Sequence, residues 1–177
     1  MSRYKKANSI KSVGIVGTGT IGASWTSYFL AKGFKVKAWD PGDNWEVKLE
    51  EFIDNAWPDL EKLGFSDEAS QSNLSLCNDL GEVAKEVDFI QESAPERLDV
   101  KQDLFKVLDK ITPASVIISS STSGLIMSEM QSNLTTSERF VVGHPFNPPH
   151  LIPLVEVVGG KMTASEVVNW TIDFYNT

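Results

Sequence analysis

Apolar and polar positions along this chain fall into blocks of two kinds. Short, nearly continuous apolar runs alternate with longer stretches in which apolar residues recur every three or four positions. The first kind suits strands covered on both faces, and the second suits amphipathic helices. The first run spans about Ser12–Gly17, and a helical pattern follows from about Thr20 to Lys32, stopped by Gly33. A second run, Phe34–Asp40, leads into a Pro41-Gly42-Asp43 turn. Asp43 or Asn44 can cap the next helix, which extends to about Leu63; Pro58 should kink or split it, and Gly64 ends it. Leu74–Cys77 reads as a third strand, Leu80–Val87 as a short helix and Asp88–Glu92 as a fourth strand. Glu96–Ile111 predicts an amphipathic helix with Leu104, Val107, Leu108 and Ile111 on its apolar side. Ser115–Ser120, Phe140–Gly143 and Leu154–Val158 complete the strands, and a last helix runs from about Ala164 to the end. The alternation predicts an α/β fold of Rossmann type: a doubly wound, mostly parallel sheet with helices on both faces.

Glycines interrupt this pattern at one informative place. Gly17-Thr18-Gly19-Thr20-Ile21-Gly22 puts G-x-G-x-x-G between the first strand and its helix, and Asp40 closes the second strand eighteen residues beyond Gly22. Strand, glycine triplet, helix, strand and terminal acid together read as a dinucleotide site. Gly17 allows the tight turn, Gly19 lets a pyrophosphate approach the backbone, and Gly22 lets the helix pack on the sheet. The helix N-terminus offers free N–H groups to the phosphates. Asp40 would accept from the adenosine ribose hydroxyls and repel a 2′-phosphate, which favours NAD over NADP.

Composition narrows the class. A chain of 177 residues is one domain, large enough to bury a core. Its net charge of -8 argues against a nucleic-acid partner, and no apolar run is long enough to span a membrane. A lone cysteine, Cys77, excludes an internal disulfide and suits a reducing, cytoplasmic setting. No secretory signal is evident in Met1–Lys11, and no metal site is expected.

A second chemical cluster lies further on. Ser119-Ser120-Ser121-Thr122-Ser123-Gly124 follows the fifth strand, and Gly143-His144-Pro145 closes the sixth. Both fall at the carboxyl edge where doubly wound sheets bind ligands. A histidine is the natural acceptor for a hydroxyl proton, and Glu156 could bond its far ring nitrogen. Plainer roles stay open: a hydroxyl run as a helix cap, a satisfied polar histidine, and Glu156 as a guard charge on an edge strand. The last helix, with Trp170, Ile172, Phe174 and Tyr175, either docks on this domain or leads into another.

The strings GTGTIG, QESAPERLDVK, SSSTSG, VGHPFNPP and PLVEVVGG, in this order, resemble the 3-hydroxyacyl-CoA dehydrogenase family over nearly the whole chain. The resemblance implies NAD-dependent oxidation of a 3-hydroxy group on a small-molecule substrate. It implies catalytic roles for His144, its partner Glu156, and Ser123. It implies cofactor contacts from the glycine run, from Asp40, and from Ala94, Glu96, Lys101 and Ser121 on the nicotinamide side. Ser121 stands where acyl-CoA members carry asparagine, a departure shared with branches that act on small hydroxy acids. The family also implies an all-helical C-terminal domain absent from this chain, and a homodimer when that domain is present. The intact set of Ser123, His144 and Glu156 favours catalysis over a purely structural or NAD-sensing domain.

Overall fold

The structure is a computed structural model and describes residues 2–177. Strands β1 (Ser12–Val16), β2 (Lys35–Trp39), β3 (Leu74–Leu76), β4 (Phe89–Glu92), β5 (Ile117–Ser120), β6 (Phe140–Pro145) and β7 (Val155–Gly159) form one sheet. Its order is β3-β2-β1-β4-β5-β6-β7. All neighbours pair in parallel except β6 and β7, which are antiparallel. The order doubles back between β1 and β4, which makes their carboxyl ends the switch point where such sheets take their ligands. The helices are α1 (Thr20–Ala31), α2 (Trp45–Leu63), α3 (Leu80–Ala84), α4 (Leu98–Ile111), α5 (Met127–Met130) and α6 (Ser165–Tyr175).

Side chains alternate between the two faces of each strand, which divides the apolar residues into two cores. Val13, Ile15, Phe89, Ile117 and Val141 pack with Trp25, Phe29, Leu49 and Phe174 from α1, α2 and α6. Val16, Ile90, Ile118 and Val142 pack with Val83, Phe105, Leu108 and Met127 from α3, α4 and α5. The predicted mostly parallel, doubly wound sheet is the observed one. Among the described residues no helix is long and apolar enough to cross a membrane.

Several local expectations shift. Helix α2 continues through Pro58, so the proline does not split it. Asn44 occupies its N-cap position at φ 54°, but no side chain caps the helix. Helix α3 stops at Ala84, three residues short of the expected end. Helix α4 begins at Leu98, not Glu96, which leaves Glu96 free to bond a neighbouring loop. Val107 and Ile111 are exposed; the buried stripe runs through Lys101, Phe105 and Leu108 to Thr112. A charged residue heads that stripe because its partner is buried beneath the sheet edge, so periodicity of apolar residues alone misplaced the face. Strand β6 continues through Pro145, so His144 lies within it.

Helix α6 docks on this domain. Phe174 is buried, with its ring centroid 4.4 Å from Phe89, 5.4 Å from Trp170 and 5.9 Å from Phe29. Phe174→Ala should therefore cost about 3–5 kcal/mol in urea unfolding, whereas Ile172→Ala, at an exposed position of the same helix, should cost under about 1 kcal/mol. Equal effects at the two positions would mean that α6 is not anchored as described.

Candidate active site

The turn out of β1 is built from glycines for steric reasons. Gly17 has φ +89°, and a Cβ there would lie 2.7 Å from the Ser93 carbonyl carbon. A Cβ on Gly22 would lie 1.8 Å from the Gly17 carbonyl oxygen, so α1 can approach the loop only with glycine at this position. At Gly19 an added Cβ would meet nothing within 4 Å. That side of the loop is open, and no side chain caps the N-terminus of α1. Asp40 stands just past β2. Its carboxylate accepts from the backbone N–H of Thr18 at 2.7 Å and of Gly42 at 2.8 Å. Two of its roughly four acceptor positions are therefore spent on shaping the loop.

Beside this loop, β4 ends in a buried carboxylate. Glu92 is fully buried and pairs with Lys101 of α4 at 2.5 Å. It also accepts from the Ala94 N–H at 2.6 Å and from the Ser120 hydroxyl. Lys101, 1% exposed, further donates to the Ala94 carbonyl at 3.0 Å. The structure thus turns Lys101 inward, onto Glu92, and shapes the Ala94 backbone with it. Glu96 Oε1 gathers the loop after β5: it accepts from Thr122 Oγ1 at 2.6 Å and from the N–H groups of Ser123 and Gly124, each at 2.9 Å. Burial raises the Glu96 pKa, but the Thr122 hydroxyl, the Gly124 and Ser123 amides and the charge of Lys101 outweigh it and hold the carboxyl below its ordinary range.

Ser123 is exposed, and its hydroxyl makes only a long 3.4 Å contact with Glu96. Ser121 is more tightly held, with Gln91 Nε2 at 2.8 Å, Ser93 Oγ at 2.9 Å and Trp25 Nε1 at 3.2 Å from its hydroxyl oxygen. Gln91, Ser93 and Tyr175 are not placed at the site by the sequence pattern, which marks Tyr175 only as an apolar residue of the last helix. A polar pair closing an apolar strand, as Gln91-Glu92 does after Phe89-Ile90, was the available signal.

Across the edge, the antiparallel register sets His144 opposite Glu156. His144 Nδ1 lies 3.0 Å from Glu156 Oε2. Phe146 flanks the imidazole at 6.2 Å between ring centroids. His144 is partly exposed and Glu156 more so, and the other imidazole nitrogen, Nε2, is not used in this pairing.

The family description "3-hydroxyacyl-CoA dehydrogenase, NAD binding domain" matches residues 12–177. The chain belongs to this family. It is 50% identical over 167 residues to an L-carnitine dehydrogenase of Nocardiopsis dassonvillei, covering 94% of this chain and 51% of that protein. A Streptomyces griseus protein of the same name is 51% identical over 166 residues, covering 94% of this chain and 50% of the relative. The chain thus spans about half the length of the curated relatives it matches. Among solved structures, E. coli 3-hydroxybutyryl-CoA dehydrogenase superposes with a TM-score of 0.86 at 27% identity, covering 94% of this chain and 36% of that one. A 5-formyl-3-hydroxy-2-methylpyridine 4-carboxylic acid 5-dehydrogenase, described as an NAD+-dependent dismutase, reaches 0.87 at 28% identity, covering 94% and 54%.

The chain's own geometry fits the cofactor of this dehydrogenase family. The open face at Gly19, the uncapped start of α1 and the carboxylate of Asp40 form a cradle with the features a dinucleotide needs. Gly19→Ala should accordingly leave the urea midpoint unchanged while weakening NAD binding in a calorimetric titration; Gly22→Ala should lower the midpoint itself. Reversal of these two outcomes would refute the loop assignment.

The lowered pKa of Glu96 carries a sign that can be checked. A group depressed on folding contributes stability above its unfolded value, and that contribution fades as pH falls through the folded value. Glu96→Gln should therefore be less stable than the parent at about pH 7 and converge with it toward about pH 3. Urea midpoints at the two pH values decide the matter, and a gap that widens in acid would contradict it.

Proposed function

We propose that this chain is the NAD-binding part of an enzyme that oxidises a 3-hydroxy group, with L-carnitine as its substrate. The observation that carries the chemistry is the His144–Glu156 pair at the carboxyl edge of the sheet. With Nδ1–H donating to Glu156, the neutral imidazole keeps its lone pair on Nε2. That nitrogen takes the proton of the substrate's C3 hydroxyl. Glu156 stabilises the imidazolium that results and keeps the ring oriented. The exposed Ser123 hydroxyl, held in place through its own N–H on Glu96, donates to the substrate oxygen before and after oxidation. Bound NAD supplies the hydride acceptor. Gly17, Thr18, Gly19, Thr20, Ile21, Gly22 and Asp40 hold its adenosine diphosphate half. Ala94, Glu96, Lys101 and Ser121 shape the nicotinamide side, Lys101 by fixing the loop from within.

The choice of L-carnitine rests on the names of the similar proteins, which are about half identical to this chain over 94% of its length. A further, helical domain belongs to the same reading. The exposed apolar residues Phe146, Leu151, Ile152 and Leu154, on the loop after His144, are the surface over which it would enclose the substrate. A cytoplasmic homodimer is proposed on the family resemblance and on the single cysteine.

Full-length protein given NAD and L-carnitine should generate NADH. L-gulonate and a 3-hydroxyacyl-CoA ester serve as the competing arms, and activity confined to either would overturn the substrate. His144→Ala should reduce turnover by about 10²–10⁴-fold with NAD affinity retained. Undiminished turnover in that variant would remove His144 from the chemistry.

A further inference from the structure

Buried and half-buried polar side chains link the last helix to the carboxyl end of β4, and the donors and acceptors present give each bond a direction. Gln91, fully buried on β4, has its amide nitrogen 3.4 Å from the Gly143 carbonyl oxygen, which can only accept. The same nitrogen donates to Ser121 Oγ at 2.8 Å. The amide oxygen therefore faces Tyr175, whose hydroxyl donates to it. Burial holds the Tyr175 phenol far above its ordinary pKa, so this donor keeps its proton. With that proton committed, Ser119 supplies the hydrogen in its 2.9 Å contact with Tyr175.

The count then reaches Ser121. Trp25 Nε1 can only donate, and it lies 3.2 Å from Ser121 Oγ. Gln91 and Trp25 together fill both lone pairs of that oxygen. The Ser121 hydrogen must go to its remaining partner, Ser93 Oγ, at 2.9 Å. Ser93 is thus an acceptor toward Ser121, and its own hydrogen bonds no acceptor among the described residues. Ser93 is partly exposed, and it stands at the junction of the two halves of the site. Its backbone abuts Gly17, and its Cβ lies 3.5 Å from where a Cβ on Gly22 would be. It also directly follows β4, the first strand of the sheet half that takes the second nucleotide.

We propose that Ser93 donates a hydrogen bond to an oxygen of the nicotinamide riboside half of NAD, and that Tyr175, Gln91 and Ser121 act as positioning residues that keep its proton pointing outward. The assignment rests on the NAD reading above and adds a cofactor contact outside the glycine loop. It also explains why Gly143, just before His144, carries no side chain. A Cβ there would lie 2.3 Å from the Tyr175 hydroxyl oxygen and 2.3 Å from Ser119 Oγ. The relay thus occupies the space beside the strand that holds the candidate base.

Calorimetric titration of the chain with NAD+ and with ADP, which lacks the nicotinamide riboside, separates this role from a structural one. Ser93→Ala should weaken NAD+ binding by about three- to tenfold and leave ADP binding unchanged. Tyr175→Phe, which removes only the hydroxyl that orients Gln91, should shift the ratio of the two affinities in the same direction by a smaller factor. A purely structural role would lower the melting temperature without moving that ratio. An unchanged ratio in either variant, or equal loss of both ligands in Ser93→Ala, would overturn the assignment. Parent protein that binds neither ligand would overturn the cofactor reading itself, and the Ser93 contact with it.

Discussion

A fully buried carboxylate must be paired, and Glu92 imposes that requirement on the region around it. Desolvating a charge costs several kcal/mol unless counter-charge and hydrogen bonds compensate. Here the compensation comes from Lys101 on α4, the Ala94 N–H and the Ser120 hydroxyl on the next strand. Satisfying Glu92 therefore draws the first turns of α4 under the sheet edge and fixes the five residues that link β4 to it. Glu96 lies on that link, and through it the loop from Thr122 to Gly124 is folded. The pair is no obvious gain in stability over an apolar substitute. What it provides is a single arrangement for two loops that carry candidate cofactor and substrate contacts.

The strands themselves show the same division of labour. Each of β4 and β5 begins apolar and ends polar, as Phe89-Ile90 before Gln91-Glu92 and Ile117-Ile118 before Ser119-Ser120. The apolar halves join the two cores, whereas the polar halves are buried yet bonded: Ser120 to Glu92 directly, and Ser119 and Gln91 each to the Tyr175 hydroxyl. Among the described strand residues, the fully buried polar side chains Gln91, Glu92, Ser119 and Ser120 all lie toward the carboxyl edge, beside the candidate site. Helix α6 joins both regimes: Phe174 sits in the core and its neighbour Tyr175 in the polar network.

How much of this was legible depended on distance along the chain. The glycine turn and Asp40 lie within one strand–helix–strand unit, where local spacing carries the geometry, and they were read directly. The sheet class followed from alternating periods. Side-chain chemistry and the family resemblance both pair His144 with Glu156, while their contact depends on an antiparallel register that periodicity does not encode. Lys101 was read as a cofactor-side residue; its burial against Glu92 was hidden because a lysine heading a helix stripe reads as a solvated charge. Tyr175 and Gln91 are 84 positions apart, and no local pattern could join them. Val107 and Ile111 misled for the opposite reason: both are apolar at helical spacing, yet they lie at the margin of a face that tilts toward Lys101.

The reversed edge strand has a consequence for how such a domain can diversify. Because β6 and β7 run in opposite directions, the histidine and its acid meet through backbone ladder bonds, not through the loop that separates them. Residues 146–154 can then change in shape, polarity or length while His144 and Glu156 stay in register. The register that joins the two side chains and the shape of the segment between them are thus separate features of this edge.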